Sequence, residues 1–185
     1  NVRTASFDVK HRILTLPMWA DIATSTQDHL IGHEVGHALY TPLDGWHDAT
    51  CGNGRAFKTF LNVVEDARIE KLIQRKYPGL RGPFIKSYKK MMADGFFGGN
   101  IDDINKMPLI DRINVHFKCG LTSGVRFTTE EKAWLPRIDA LETWAEVVTL
   151  VEELYGEAMK EMAKQKEEAE DAEDDMDLDD LEGAD

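Results

Sequence analysis

Apolar residues recur at helical spacing over several stretches of this chain and alternate over only one short stretch. From Arg55 to Lys76, Phe57, Phe60, Leu61, Val64, Leu72 and Ile73 keep that spacing until Tyr77, Pro78 and Gly79 stop the run. A second helix is predicted over residues 27–40. Ser25 or Thr26 can cap it, Asp28 sits in the first turn where the helix dipole favours negative charge, and Pro42 ends it. A last element begins near Thr128, breaks at Pro136 and resumes with Ile138, Leu141, Ala145, Val148, Val151, Leu154 and Met162 on one stripe. Short helices are expected around 84–93 and 108–118. Phe7, Val9 and Ile13 alternate within a β-branched and aromatic segment, which predicts a strand over 7–16. The stretch TPLDGWHDATCGNG is rich in Gly, Asp and Asn and reads as a loop. The pattern predicts an α+β chain, mostly helical, with a small N-terminal β-sheet and a long C-terminal helix.

Charge changes this picture at one end. The net charge is -12 over 185 residues, but one Lys and twelve Asp or Glu fall within 166–185. Of 22 basic and 34 acidic residues, 21 and 22 remain for positions 1–165, so the body is close to neutral. The tail is expected to be a solvated, disordered acidic linker, and 1–165 the folded domain. Without a basic stripe and interleaved aromatics, no nucleic-acid partner is expected. No run of about 18 apolar residues occurs, which predicts a soluble protein with no membrane partner. Two cysteines, Cys51 and Cys119, are too few for a disulfide scaffold and suit a reducing, cytoplasmic compartment, each as a small apolar side chain. The start at Asn1 and the end within an acidic run suggest a piece of a longer protein.

The chemistry lies in LIGHEVGHALYTP. His33 and His37, four apart on a helix, project from one face and can reach one ion. A zinc ion takes imidazole nitrogens at roughly 2.0–2.1 Å and, in catalytic sites, three protein ligands plus a water. Glu34 lies beside the pair, where it can take a proton from that water as general base, in the His-Glu-x-x-His arrangement. Gly32, Gly36 and Ala38 leave room for another backbone to approach. The third ligand is sought in FLNVVEDARIE, where Asn62, Glu65 and Asp66 are spaced to share a face beside an apolar seam. Glu65 is assigned as ligand, with Asp66 or Asn62 orienting an imidazole; Asp66 stays open as the alternative ligand. The position six after His37, where a metzincin would carry a third His, is Leu43, and the nearest downstream histidine is His47 in the predicted loop. His29, four before His33, shares the helix face and is read first as a packing residue. Tyr40, Tyr77, Tyr88, His116 and Arg126 are candidates to stabilise an oxyanion.

HEVGHALYTP followed by LNVVEDARIEKLIQRKYPGL resembles the zincin-type metallopeptidase-like domain of tailed-phage proteins and cobaltochelatase-subunit-like proteins. In those, an acidic linker leads into a von Willebrand factor A domain. The resemblance covers about residues 5–120. It implies a gluzincin-like site in which His33, His37 and Glu65 hold zinc and Glu34 is catalytic, a peptide or protein substrate, and a von Willebrand factor A domain downstream. In one detail the chain departs from the gluzincin pattern: an acidic residue is expected four after the ligand, yet four after Glu65 stands Ile69, whereas Asp66 and Glu70 do have that interval. The leading expectation is a zinc-dependent metallopeptidase. The alternative is a noncatalytic, zinc-stabilised interaction module that works with a von Willebrand factor A domain or an ATPase partner.

Overall fold

The computed structural model describes residues 5–8, 11–17 and 22–182. Helices dominate, with one two-stranded sheet near the N-terminus, so the α+β, mostly helical expectation holds. The strand expected over 7–16 is instead a hairpin, β1 (Ser6–Asp8) antiparallel to β2 (Ile13–Thr15), with Phe7 opposite Leu14. Asp8 turns the chain. Its carboxylate accepts the backbone N–H of His11 at 2.9 Å, and Arg12 takes φ 58°, in the left-handed region. Val9 lies outside the described residues.

Helix α1 (Thr24–Tyr40) starts three residues before its expected position, because the Ala23 carbonyl, not a Ser or Thr side chain, receives the first N–H groups. Ser25 and Thr26 are therefore inside the helix, and Asp28 lies beyond its first turn. The segment expected as a loop forms α2 (Leu43–Thr50). Pro42 supplies a fixed extended start, Asp44 lies in the first turn, and Gly45 admits the indole of Trp144, which would meet a Cβ there at 2.7 Å. Helix α3 spans Arg55–Lys76 as its spacing predicts. Then come α4 (Arg81–Ala93), α5 (Ile101–Ile104), α6 (Leu109–Cys119), α7 (Thr129–Lys132), α8 (Trp134–Asp139) and α9 (Trp144–Glu182).

Pro136 does not break the last element. It sits in the first turn of α8, where its missing N–H is not required, and the interruptions fall at 133 and at 140–143. There Glu146 accepts the N–H groups of Glu142 at 3.0 Å and Thr143 at 2.7 Å and restarts the helix. The restart shifts the phase. Val147, Leu150 and Val151 are buried, while Ala145 is exposed and Val148 only half-buried.

Contacts divide the chain into Asn1–Val151 and Glu152–Asp185. In the second unit the α9 backbone stays helical to Glu182, through the stretch expected to be an unfolded linker, and Lys160 meets Glu157 at 2.8 Å. Ala, Glu, Lys and Met favour helix in this stretch, which net charge alone does not register. No helix of the described residues is long and apolar enough to cross a membrane. Cys51 is exposed and Cys119 half-buried, both free, with burial pushing the Cys119 thiol up to about 11.

Within the first unit α3 is the central element, with Leu61, Val64, Ile69 and Ile73 fully buried; side chains of this size each contribute about 1.5–3 kcal/mol. Helices α1, α6 and α8 pack on it, and α4 packs on α1. Two glycines set how closely α1 is approached. A Cβ on Gly36 would lie 2.9 Å from Ile69 Cδ1, and one on Gly32 would lie 3.0 Å from Phe84 Cε2. Replacing Gly36 by Leu overfills the α1–α3 seam and should lower stability by about 1–3 kcal/mol. Gly82, where an added Cβ meets nothing within 4 Å, is the control: Gly82→Ala should leave the denaturation midpoint close to wild type.

Candidate metal centre

Helices α1 and α3 run antiparallel with matching steps of four residues. His33 faces Glu70 and His37 faces Asp66, so one turn forward on α1 meets one turn back on α3. Nε2 of His37 lies 3.1 Å from Asp66 Oδ1, and Nε2 of His33 lies 3.8 Å from the same oxygen. Neighbouring ligands on a tetrahedral zinc ion, each at about 2.0–2.1 Å, are about 3.3 Å apart. Two imidazole nitrogens and one carboxylate oxygen thus lie within 4.8 Å of one another, and this donor set fits zinc.

The outer nitrogens carry the second half of the fit. His33 Nδ1 lies 2.9 Å from Glu70 Oε1, and His37 Nδ1 lies 3.0 Å from Thr41 Oγ1. Such partners hold each ring with Nε2 turned inward, as metal-binding imidazoles require. Tyr88 donates its hydroxyl to the same Glu70 oxygen, and the Thr41 hydroxyl donates to Glu65.

Asp66, not the expected Glu65, is the carboxylate brought to the imidazole pair. Glu65 is fully buried and turned to Arg68, whose Nε and guanidinium nitrogen donate to its two oxygens at 2.8 and 2.7 Å. Arg68 also donates to the backbone carbonyls of Tyr40 at 2.9 Å and Glu142 at 3.0 Å. Glu65 is thereby committed to joining α3, the end of α1 and the segment before α9. Asn62 is exposed on α3, and the imidazoles find Asp66 and Glu70 as their partners on that helix.

Lys118, in the last turn of α6, places its ammonium 2.9 Å from Asp66 Oδ2, leaving Oδ1 to face the rings. Burial alone would raise the pKa of Asp66, but the Lys118 charge, the His37 bond and the nearby imidazoles outweigh it and hold the pKa far below the usual carboxylate range. For His33, burial lowers the pKa, yet the bond to Glu70 and the charge of Asp66 win and move it up. Formally, Asp66, Glu70 and Lys118 together carry one net negative charge, which suits a cation among them.

Glu34 is half-buried on α1, one residue from His33, and engages in no hydrogen bond or ion pair among the described residues. Of the candidate oxyanion donors only Tyr88 adjoins the cluster, and it does so through Glu70. Tyr77 is 48% exposed, His116 meets Phe127 edge to face, the Tyr40 carbonyl is held by Arg68, and the Arg126 backbone joins Asn105 and Arg112. His47 is exposed on α2. Glu70, Tyr88 and Lys118 also line a cleft of about 830 Å³ between α3, α4 and the end of α6, with Phe84, Met92 and Phe117 on its apolar walls.

Lys118 and Thr41 were not among the sequence candidates. Thr41 directly follows the motif helix and Lys118 is one of two basic residues in the last turn of α6, but neither position marks a role without the packing. No protein-family model, curated protein or solved structure matches the chain.

The geometry separates the two neighbouring carboxylates by experiment. Asp66→Asn should cut zinc affinity by more than 100-fold while Glu65→Gln leaves it near wild type, both read by competition with a chromogenic chelator. Glu65→Gln should instead cost about 1.5–3 kcal/mol in denaturant unfolding, because the Arg68 guanidinium loses its charged partner.

Proposed function

We propose that this chain is a zinc-dependent metallopeptidase of gluzincin-like type, with His33, His37 and Asp66 as the ligands and Glu34 as the general base. The observation that carries the reading is the meeting of three donors from two helices at zinc-compatible spacing, each imidazole secured on its far nitrogen. Asp66 and Glu70 have the interval of four that the resemblance to gluzincins implies for the helix after the motif helix, and here the first meets Nε2 of His37 and the second Nδ1 of His33.

When bound, zinc supplies a Lewis acid that lowers the pKa of water toward about 7 and polarises a peptide carbonyl. His33 and His37 present Nε2, and Glu70 and Thr41 keep them in that orientation. Asp66 contributes Oδ1 while Lys118 occupies Oδ2. Glu34 receives a proton on its carboxylate from the attacking water and returns it to the departing amine nitrogen, so its charge is restored at the end of a turnover. The apolar walls of the neighbouring cleft suit a bulky apolar side chain of a peptide or protein substrate.

One observation favours the noncatalytic reading: through Asp66, Lys118 links α6 to the His pair of α1, so the cluster joins three helices as a structural clip would. In that reading Glu34 has no task and a von Willebrand factor A domain or an ATPase partner does the work. Glu34→Gln distinguishes the two. With zinc content unchanged, cleavage of a mixed peptide library should fall by about 10²–10⁴-fold relative to wild type. A wild type that is fully zinc-loaded and cleaves nothing would favour the clip.

A further inference from the structure

His29 extends the α1 histidine ladder by one more turn and is 3% exposed. Its Nδ1 lies 2.8 Å from Ser87 Oγ, an arrangement that repeats the outer bonds of His33 and His37. Its Nε2, however, is buried with no hydrogen-bond partner among the described residues. A buried imidazole nitrogen in that condition costs free energy unless something fills the place before it. Ser87 occupies Nδ1, so Nε2 is the nitrogen His29 has left to offer, and ligand atoms of His29, His33 and Glu70 fall within 4.8 Å of one another. Three imidazoles at steps of four on α1 thus oppose two carboxylates at a step of four on α3, and the ladder holds two overlapping donor triads.

We propose that His29 Nε2 and Glu70 form a second divalent-cation site beside the His33–His37–Asp66 centre, with His33 shared between them. The inference rests on the metal reading of that first centre. Two nitrogens and one carboxylate oxygen select a borderline ion, zinc or cobalt(II), over magnesium or calcium. Of the members, His29 is the one the second site holds alone. Glu70 also supports His33, and the second ion would enter through His33 Nδ1, whose proton passes to solvent as the nitrogen binds. Because that ion competes with the Glu70–His33 bond, it binds more weakly than the first.

Titration of the metal-free protein with zinc by calorimetry, at neutral pH, tests this. Wild type should take up two equivalents, the second at least tenfold weaker; His29→Gln should take up one, with first-equivalent affinity within about threefold of wild type. Nitrogen-15 imidazole spectra of wild type give a reading that does not depend on a variant: His29 Nε2 should shift only as the second equivalent is added. Saturation of wild type at one equivalent, two equivalents retained by His29→Gln, or a His29 Nε2 signal unmoved throughout would overturn the second site and leave a buried water as the filler. Loss of the first equivalent is a separate matter, read in His37→Ala, and its persistence there would count against the first centre instead.

Discussion

The close antiparallel contact between α1 and α3 is the constraint on which the rest depends. Gly36 lets Ile69 press against the α1 backbone, and Gly32 admits Phe84 one turn earlier. At that separation an imidazole from one helix reaches a carboxylate from the other with nothing between them. A Cβ at Gly36 would open the seam, and His37 would lose Asp66 before it lost its own helix.

Into this seam the chain places charge that a folded protein ordinarily keeps at its surface. Glu65, Asp66, Arg68 and Glu70 are all buried on one helix. Each has its answer: Glu65 in Arg68, Asp66 in Lys118 and His37, Glu70 in His33 and Tyr88. Buried pairs of this kind do little for stability compared with apolar packing, but removal of one member exposes the other to the full cost of desolvation. Their burial together suits a site whose geometry matters more than its contribution to folding. The arrangement also divides labour between adjacent residues: Glu65 holds helices together, and Asp66 faces the imidazoles.

Much of this was legible in the chain. The spacing in α3 gave its ends, and His33 with His37 on one helix face followed from helix geometry alone. The third partner was harder. Glu65 and Asp66 differ by 100° around α3, and only the rotation of that helix against α1 decides which one faces the rings. That rotation is set by Ile69 entering the gap at Gly36, a contact between residues 33 positions apart. The i, i+4 interval of Asp66 and Glu70 already pointed to the right pair. Elsewhere the misreadings were local competitions: Asp8 bent a strand into a hairpin, Pro42 began a helix where Gly and Asp suggested a loop, and Glu146 reset the phase of α9.

Anomalous diffraction at the zinc absorption edge, from crystals of the protein grown with one equivalent of zinc, tests the central claim most directly. One strong peak is expected about 2 Å from Nε2 of His33, Nε2 of His37 and a carboxylate oxygen of Asp66, with Glu65 still on Arg68. A peak bound by Glu65, or no peak between the two helices, would contradict it.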